Sequence, residues 1–216
     1  MKKLFVFFLM SFNILAFSQD NEETYYRVIE PKHSYTIDFA LPVSVANKAF
    51  KDIMQGFVRA SVSYQYAFKN HLNIGLGGNY TYFSVNRFKI TPQILGGMHL
   101  YNAHVKIAIE KFYSERIGFD YGIKAGYTFA NIHSDSLVTR VKITEPFIEP
   151  YLSFALSADH RSSYKWTLAY SFQNFGFSPQ KIGLFQLNEY SEAEKSRITR
   201  FFSFGFSFTH YFKQRQ

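Results

Sequence analysis

Apolar and polar residues alternate along most of this chain with a period of two, the spacing that puts successive side chains on opposite faces of a β-strand. The clearest segment lies near the C-terminal end. Phe202, Phe204, Phe206, Phe208 and Phe212 share one face, interrupted by His210, and Ser203, Gly205, Ser207, Thr209 and Tyr211 form the other. On a helix the phenylalanines would scatter round the axis, so the pattern predicts a strand. Bulky apolar residues opposite small polar ones match a wall with lipid outside and a polar lumen inside.

The same pattern recurs upstream. Val58, Val62, Tyr64, Tyr66 and Phe68 oppose Arg59, Ser61, Ser63 and Gln65; Leu72, Ile74, Leu76, Tyr80 and Tyr82 oppose Asn73, Gly75, Gly77, Asn79 and Thr81. Tyr101, Val105, Ile107 and Ile109 oppose Asn102, His104, Lys106 and Glu110. Ile117, Phe119, Tyr121, Ile123, Tyr127 and Phe129 oppose Gly118, Asp120, Gly122, Lys124 and Thr128. Leu152, Phe154 and Leu156 oppose Tyr151, Ser153 and Ser157, and Tyr164, Trp166, Leu168, Tyr170 and Phe172 oppose Lys165, Thr167, Ser171 and Gln173. A first strand with Tyr35, Ile37, Phe39 and Leu41 on one face and Asp38 on the other brings the set to eight. Connections alternate between short (69–71, 113–116, 159–163) and long (about 43–56, 84–98, 130–147 and 174–198). The expectation is an all-β fold, an eight-stranded antiparallel transmembrane β-barrel in up-and-down meander order, over residues 33–212, with short turns on the periplasmic side and long external loops.

A soluble sandwich or ligand-binding barrel is the competing architecture, and it would bury the apolar face inward. Roughly forty bulky side chains cannot enter a lumen that, with eight strands, barely holds its own lining. Pro42 and Pro150 each remove a ladder donor, and a closed barrel has no free edge. Strand one is therefore expected to end near Leu41 and strand six to start near Pro150.

Composition adds compartment. Lys2 and Lys3 precede an apolar run from Leu4 to Phe17, and Ala16, Phe17 and Ser18 supply a cleavage region, so residues 1–18 read as a signal peptide. The run is about 14 residues, short of the roughly 20 of a spanning helix. Residues 19–32 read as a periplasmic leader and 213–216 as a tail. The chain has 216 residues, no cysteine and 20% aromatic residues. Its mean hydropathy of -0.16 excludes a helical membrane protein but suits strands with one apolar face. Export through a cleaved signal makes nucleic acid an improbable partner for a chain of net charge +8.

The overall pattern resembles the small outer-membrane barrels of the OmpX and OmpA-barrel type, and the segment Gly118 to Tyr127 (GFDYGIKAGY) is similar to strands of the outer-membrane β-barrel domain family. Ending an alternating strand on Phe212 resembles the C-terminal signal read by the barrel-assembly machinery. The resemblance implies fold and an outer-membrane location in a Gram-negative cell, and no specific activity.

The chemistry that remains is electrostatic. Arg59, Lys106, Lys124 and Lys165 are expected in the lumen with Asp38, Glu110, Asp120 and Asp159, where charges must pair. They form either a salt-bridge plug or, relaxed apart, a narrow solute path. Phe202, Phe204, Phe206 and Phe208 are expected to face lipid. The stretch Asn131 to Ser136 holds His133, Ser134, Asp135 and Ser136, the residue types of a lipid A-modifying hydrolase, but contiguous residues seldom assemble a nucleophile, its base and an orienting group. The seven histidines are scattered and Gly75, Gly77 and Gly78 sit inside a strand pattern, so no catalytic residue, metal or cofactor is expected. Lys48, Lys51, Arg87, Lys89, Arg140, Lys142, Lys181, Lys195 and Arg197 lie in the long loops and would meet lipopolysaccharide phosphates. The expected role is a non-enzymatic structural or interaction protein, of the kind that forms a small subunit of an envelope secretion or assembly complex. The partners would be outer-membrane lipids, lipopolysaccharide and other envelope proteins.

Overall fold

In a computed structural model the eight alternating segments close into one antiparallel barrel whose neighbours follow sequence order from β1 to β8, with β8 returning to β1. The structure describes residues 33–68, 71–90, 93–114, 116–159, 161–185, 190–195 and 197–212. The expected signal peptide, leader and tail lie outside those residues. The strands are β1 (His33–Ala46), β2 (Met54–Ala67), β3 (Leu72–Val85), β4 (Gly96–Phe112), β5 (Ile117–Ser134), β6 (Val141–Asp159), β7 (Ser162–Gly176) and β8 (Ile198–Phe212). Pairing of His33 with Phe212 and with Tyr66 puts both ends of the barrel at the short-turn rim.

Alternation translates directly into inside and outside. Phe206 is 58% exposed and its neighbour Ser207 4%. Phe202, Phe204 and Phe208 share the outward face of Phe206, as do Leu76 on β3 and Leu152 on β6. The two rims carry aromatic clusters on the outer wall. His33 packs edge-on to Tyr66, and Tyr35 lies against His210 and Phe212 near the short turns. Tyr80, Tyr82 and Tyr101 gather round His99 toward the other rim.

Several strands run further toward the long-loop rim than the sequence pattern indicated. The loop-rim connections shrink to 47–53, 86–95, 135–140 and 177–197. β1 continues past Pro42 to Ala46, and β6 begins at Val141, nine residues before Pro150. The prolines are accommodated by local gaps in one ladder while the other continues. β1 pairs with β2 only as far as Ala40, whereas its pairing with β8 runs on through Pro42 and Ser203. There β2 approaches so closely that a Cβ on Gly56 would sit 1.8 Å from the Pro42 carbonyl oxygen. The β6–β7 pairing breaks between Ile148↔Phe172 and Tyr151↔Ala169, while Pro150 remains paired with Ile123 on β5.

Inside, the extended strand ends carry apolar residues on the lumen face as well. Phe83, Met98, Leu100, Ile132 and Phe201 point inward and are almost fully buried. A short helix α1 (Lys48–Ile53) folds over them, its Ala49, Phe50 and Ile53 lying on one face. A 3-10 turn (Pro179–Ile182) contributes Ile182, and the long connection adds Phe177 and Leu184. Asn47 ties the lid together. Its Oδ1 accepts from the Phe50 N–H at 3.0 Å, capping α1, and its Nδ2 donates to the carbonyls of Phe177, Lys195 and Arg197 at 3.1, 3.2 and 2.9 Å. A second turn of helix, α2 (Glu192–Lys195), follows in the same connection.

Candidate functional site

Lumen-facing positions on six strands, β1, β2 and β4 to β7, bring the charged residues together below the apolar lid. Glu110 on β4 is nearest the short-turn rim and collects four donors: the Tyr211 hydroxyl at 2.5 Å, Lys165 Nζ at 2.7 Å, and the amides of Gln65 and Asn73 at 3.3 Å each. Lys165, 1% exposed, bridges from Glu110 to Asp120 at 2.9 Å. Asp120 also accepts from the Tyr151 hydroxyl at 2.7 Å and Lys106 Nζ at 3.2 Å. Lys106 in turn donates to Gln65 at 2.7 Å. Toward the lid, Glu149 accepts from Arg59 and from the Ser171 hydroxyl, with Lys124 Nζ 3.5 Å away. Lys124 reaches Asp38 at 3.7 Å, and Arg59 also donates to Ser203 at 3.2 Å. The ring of Tyr151 lies 5.0 Å from Lys106 Nζ and 5.1 Å from that of Lys124, a cation–π arrangement between the layers.

Four cations (Arg59, Lys106, Lys124, Lys165) therefore face four carboxylates (Asp38, Glu110, Asp120, Glu149) and the core is neutral. Neutrality and multiple hydrogen bonds are what a desolvated charge requires. The space left between Asp38, Lys106, Asp120 and Lys124 is about 10 Å³, roughly one water. A layer of uncharged polar groups separates these charges from the lid, including the Asn102–Asn79 amide pair at 2.7 Å and His104, whose two ring nitrogens are buried and, among the described residues, have no hydrogen-bond partner.

One residue of the expected set lies elsewhere. Asp159 sits at the end of β6, exposed, where Oδ1 accepts from the Arg161 N–H and the Ser162 hydroxyl at 2.7 Å each and shapes the β6–β7 turn. Its place in the charge balance belongs to Glu149. Two-residue periodicity back from Ser153 and Tyr151 points to Glu149, but starting the strand at Pro150 left it outside.

The polar stretch from Asn131 to Ser136 divides between two sides of β5 and its loop. His133 stacks on His99 of β4, ring centroids 5.1 Å apart, on the outer wall. Ser134 donates to the Ile182 carbonyl at 2.7 Å, and Asp135 accepts from the Leu95 N–H at 3.1 Å. These bonds join the loop to the lid; none joins a hydroxyl to the His133 ring. Among the described residues there is no group of three His, Asp or Glu able to hold a metal ion. Gly75, Gly77 and Gly78 lie within β3. Lys142 belongs to β6 and not to a loop.

Closed meander, apolar wall, aromatic rims and charge-filled lumen together define a small eight-stranded barrel of the outer-membrane type. Among solved structures, the chain is similar to Neisserial surface protein A (NspA), with a TM-score of 0.55 at 9% identity over 84% of this chain and 97% of that one. It is also similar to OprG from Pseudomonas aeruginosa (TM-score 0.49, 9% identity, 87% and 99% covered) and to Ail, the attachment invasion locus protein of Yersinia pestis (0.45, 12%, 84% and 98%). No protein-family model matches the chain, and no curated protein is similar to it in sequence.

Proposed function

We propose that this chain is an integral outer-membrane barrel, exported by its N-terminal signal peptide, that works without catalysis as a structural and protein-interaction element of the envelope. It is suited to be a small subunit of a secretion or assembly complex. The observation that carries this reading is the closed interior: a neutral, hydrogen-bonded charge layer and, above it, an apolar lid on Phe50, Phe83, Phe177 and Phe201. Two chemically different seals in series oppose a solute path, which leaves the outer wall and loops as the working surfaces. Those surfaces are apolar between the rims, as a lipid-facing wall requires. Loop residues Phe88 and Val138 stand fully in solvent beside Arg87, Lys89 and Arg140, a surface that favours contact with other envelope components.

Planar-bilayer recording with the refolded chain tests this reading against a narrow channel. The expected record is insertion without stepwise conductance; stable steps that shift when Lys124 or Asp120 is replaced would assign a channel instead. A change of lipid A mass on expression would assign an enzyme.

A further inference from the structure

We propose that the outer wall between β3 and β6, near the long-loop rim, is a binding site for the phosphate of a membrane-lipid headgroup. The inference rests on the lipid-facing reading of the wall. Strand register sets Tyr82 beside His99, His99 beside Asn131, and Asn131 beside Lys142, a polar row on four consecutive strands. Further along the same strands the outward positions are apolar, with Leu76, Val105, Ile123 and Ile148 exposed.

The row is built rather than incidental. The Tyr80 hydroxyl and His99 Nδ1 are 2.8 Å apart. With Tyr80 donating, Nε2 carries the proton and, among the described residues, donates to no recorded acceptor. Tyr82 lies 4.8 Å from the His99 ring, over Gly97, where a Cβ would meet the Tyr82 ring at 2.7 Å. His133 extends the imidazole surface one position further toward the loops, its ring only 22° from parallel with that of His99. In the middle, the Asn131 amide oxygen is buried and, among the described residues, has no hydrogen-bond partner.

Charge gives the sign of the ligand. Lys142 and Arg140 are exposed, and among the described residues neither is paired with a carboxylate. None of the outward positions of β3 to β6 around the row carries an acid. The nearest carboxylates in sequence are Asp135, which has one oxygen committed to the Leu95 N–H, and Glu145, on the opposite face of β6 from Lys142, which accepts from the Asn174 amide. Two exposed cations, imidazole and phenol groups and an amide therefore lie along one stretch of wall, and among the described residues no carboxylate is ion-paired with the cations. An anion in water has no use for a tyrosine-lined wall that continues into an apolar one. A phosphate attached to acyl chains does, because its charge meets the donors at the interface while its chains lie along the strands.

The experiment is native mass spectrometry of the delipidated, refolded chain in detergent, titrated with bis-phosphorylated lipid A and with the same lipid dephosphorylated. The expected result is preferential retention of the phosphorylated form. That preference should fall about tenfold for each contact removed in His99→Phe and Lys142→Met, the loss expected of one hydrogen bond to a charged group. It should survive in Lys48→Gln, whose lysine lies on the lid. Heat-modifiable gel migration confirms that each variant is folded. Equal retention of the two lipids, or a preference that persists in the His99→Phe/Lys142→Met double variant, overturns the site. Displacement of the lipid by millimolar inorganic phosphate would show an anion site without lipid selectivity and also overturns it. Retention of neither lipid by the folded chain would instead remove the lipid-facing reading on which the site rests.

Discussion

Glu149→Gln strips the lid-side charge layer of its only fully buried carboxylate while keeping its shape. In the native barrel Glu149 holds Arg59, Ser171 and Lys124. In the variant Arg59 keeps Ser203 at 3.2 Å and Lys124 keeps Asp38 at 3.7 Å, so one buried positive charge is left without an acid. Breaking a buried pair from one side costs about 3–5 kcal/mol; the retained amide contact to Ser171 puts the expected loss near the low end. With a urea slope of roughly 2–3 kcal/mol per molar, the unfolding midpoint should fall by about 1–2 M. Combining Glu149→Gln with Arg59→Met removes the orphaned charge, so the double variant should be more stable than the sum of the singles, with a coupling of about 1–3 kcal/mol. Lys124→Met should be milder, because Glu149 retains Arg59 and the Asp38 side chain is 15% exposed. The assay is urea unfolding of the refolded barrel in detergent or lipid, followed by tryptophan fluorescence from Trp166. Small, additive effects would mean that water already solvates each charge, and the closed-core reasoning would fail.

Other perturbations probe the wall, the lid and the long loop. Phe206→Arg, on the outer face, should lower stability by about 2–4 kcal/mol, whereas Ser207→Ala, which removes the 2.8 Å contact with Thr167, should cost only about 1 kcal/mol; similar losses would mean the faces are misassigned. Asn47→Ala removes the α1 cap and three carbonyl contacts, so about 1–2 kcal/mol of helix stability and the protease resistance of residues 177–185 and 190–195 should go, while the bilayer record stays silent because the charge layer below is untouched. Before α2, the Ser191 N–H and hydroxyl hold the Glu194 carboxyl below its ordinary range. A depressed carboxyl stabilises above its unfolded pKa and loses that contribution as pH falls through the folded value. Hydrogen-exchange protection of Ser191–Lys195 should therefore drop on acidification, and Glu194→Gln should abolish that dependence.

Strand number, order, facing and most of the inner charges were legible because alternation reports a single fact, which side of a two-sided wall each residue occupies. It fails where the two sides stop differing. At the loop ends of β3, β4, β5 and β7 the inward positions are Phe83, Met98, Ile132 and Phe175, as apolar as the outer wall, so the strand signal dissolves and these ends look like long loops. Proline misled in a different way. It demands one missing ladder bond, not the end of a strand, and the pairings of Pro42 with Ser203 and Pro150 with Ile123 show that the remaining neighbour suffices. Fixing strand six at Pro150 hid Glu149 and let Asp159, the next acid in the segment, take its place. The lid itself was visible only as the spacing of Ala49, Phe50 and Ile53, a single helical turn whose meaning depends on the apolar lumen beneath it.

The absence of cysteine from the sequence makes the lipid-facing wall directly measurable. Single cysteines at Phe206, Leu76 and Leu152, labelled with an environment-sensitive fluorophore and refolded into vesicles, should be quenched by lipids brominated along their acyl chains and protected from iodide. A label at Phe88 on the exposed β3–β4 loop should show the opposite pattern. Iodide quenching of the three wall positions, without quenching by brominated lipid, would contradict a barrel embedded in a membrane.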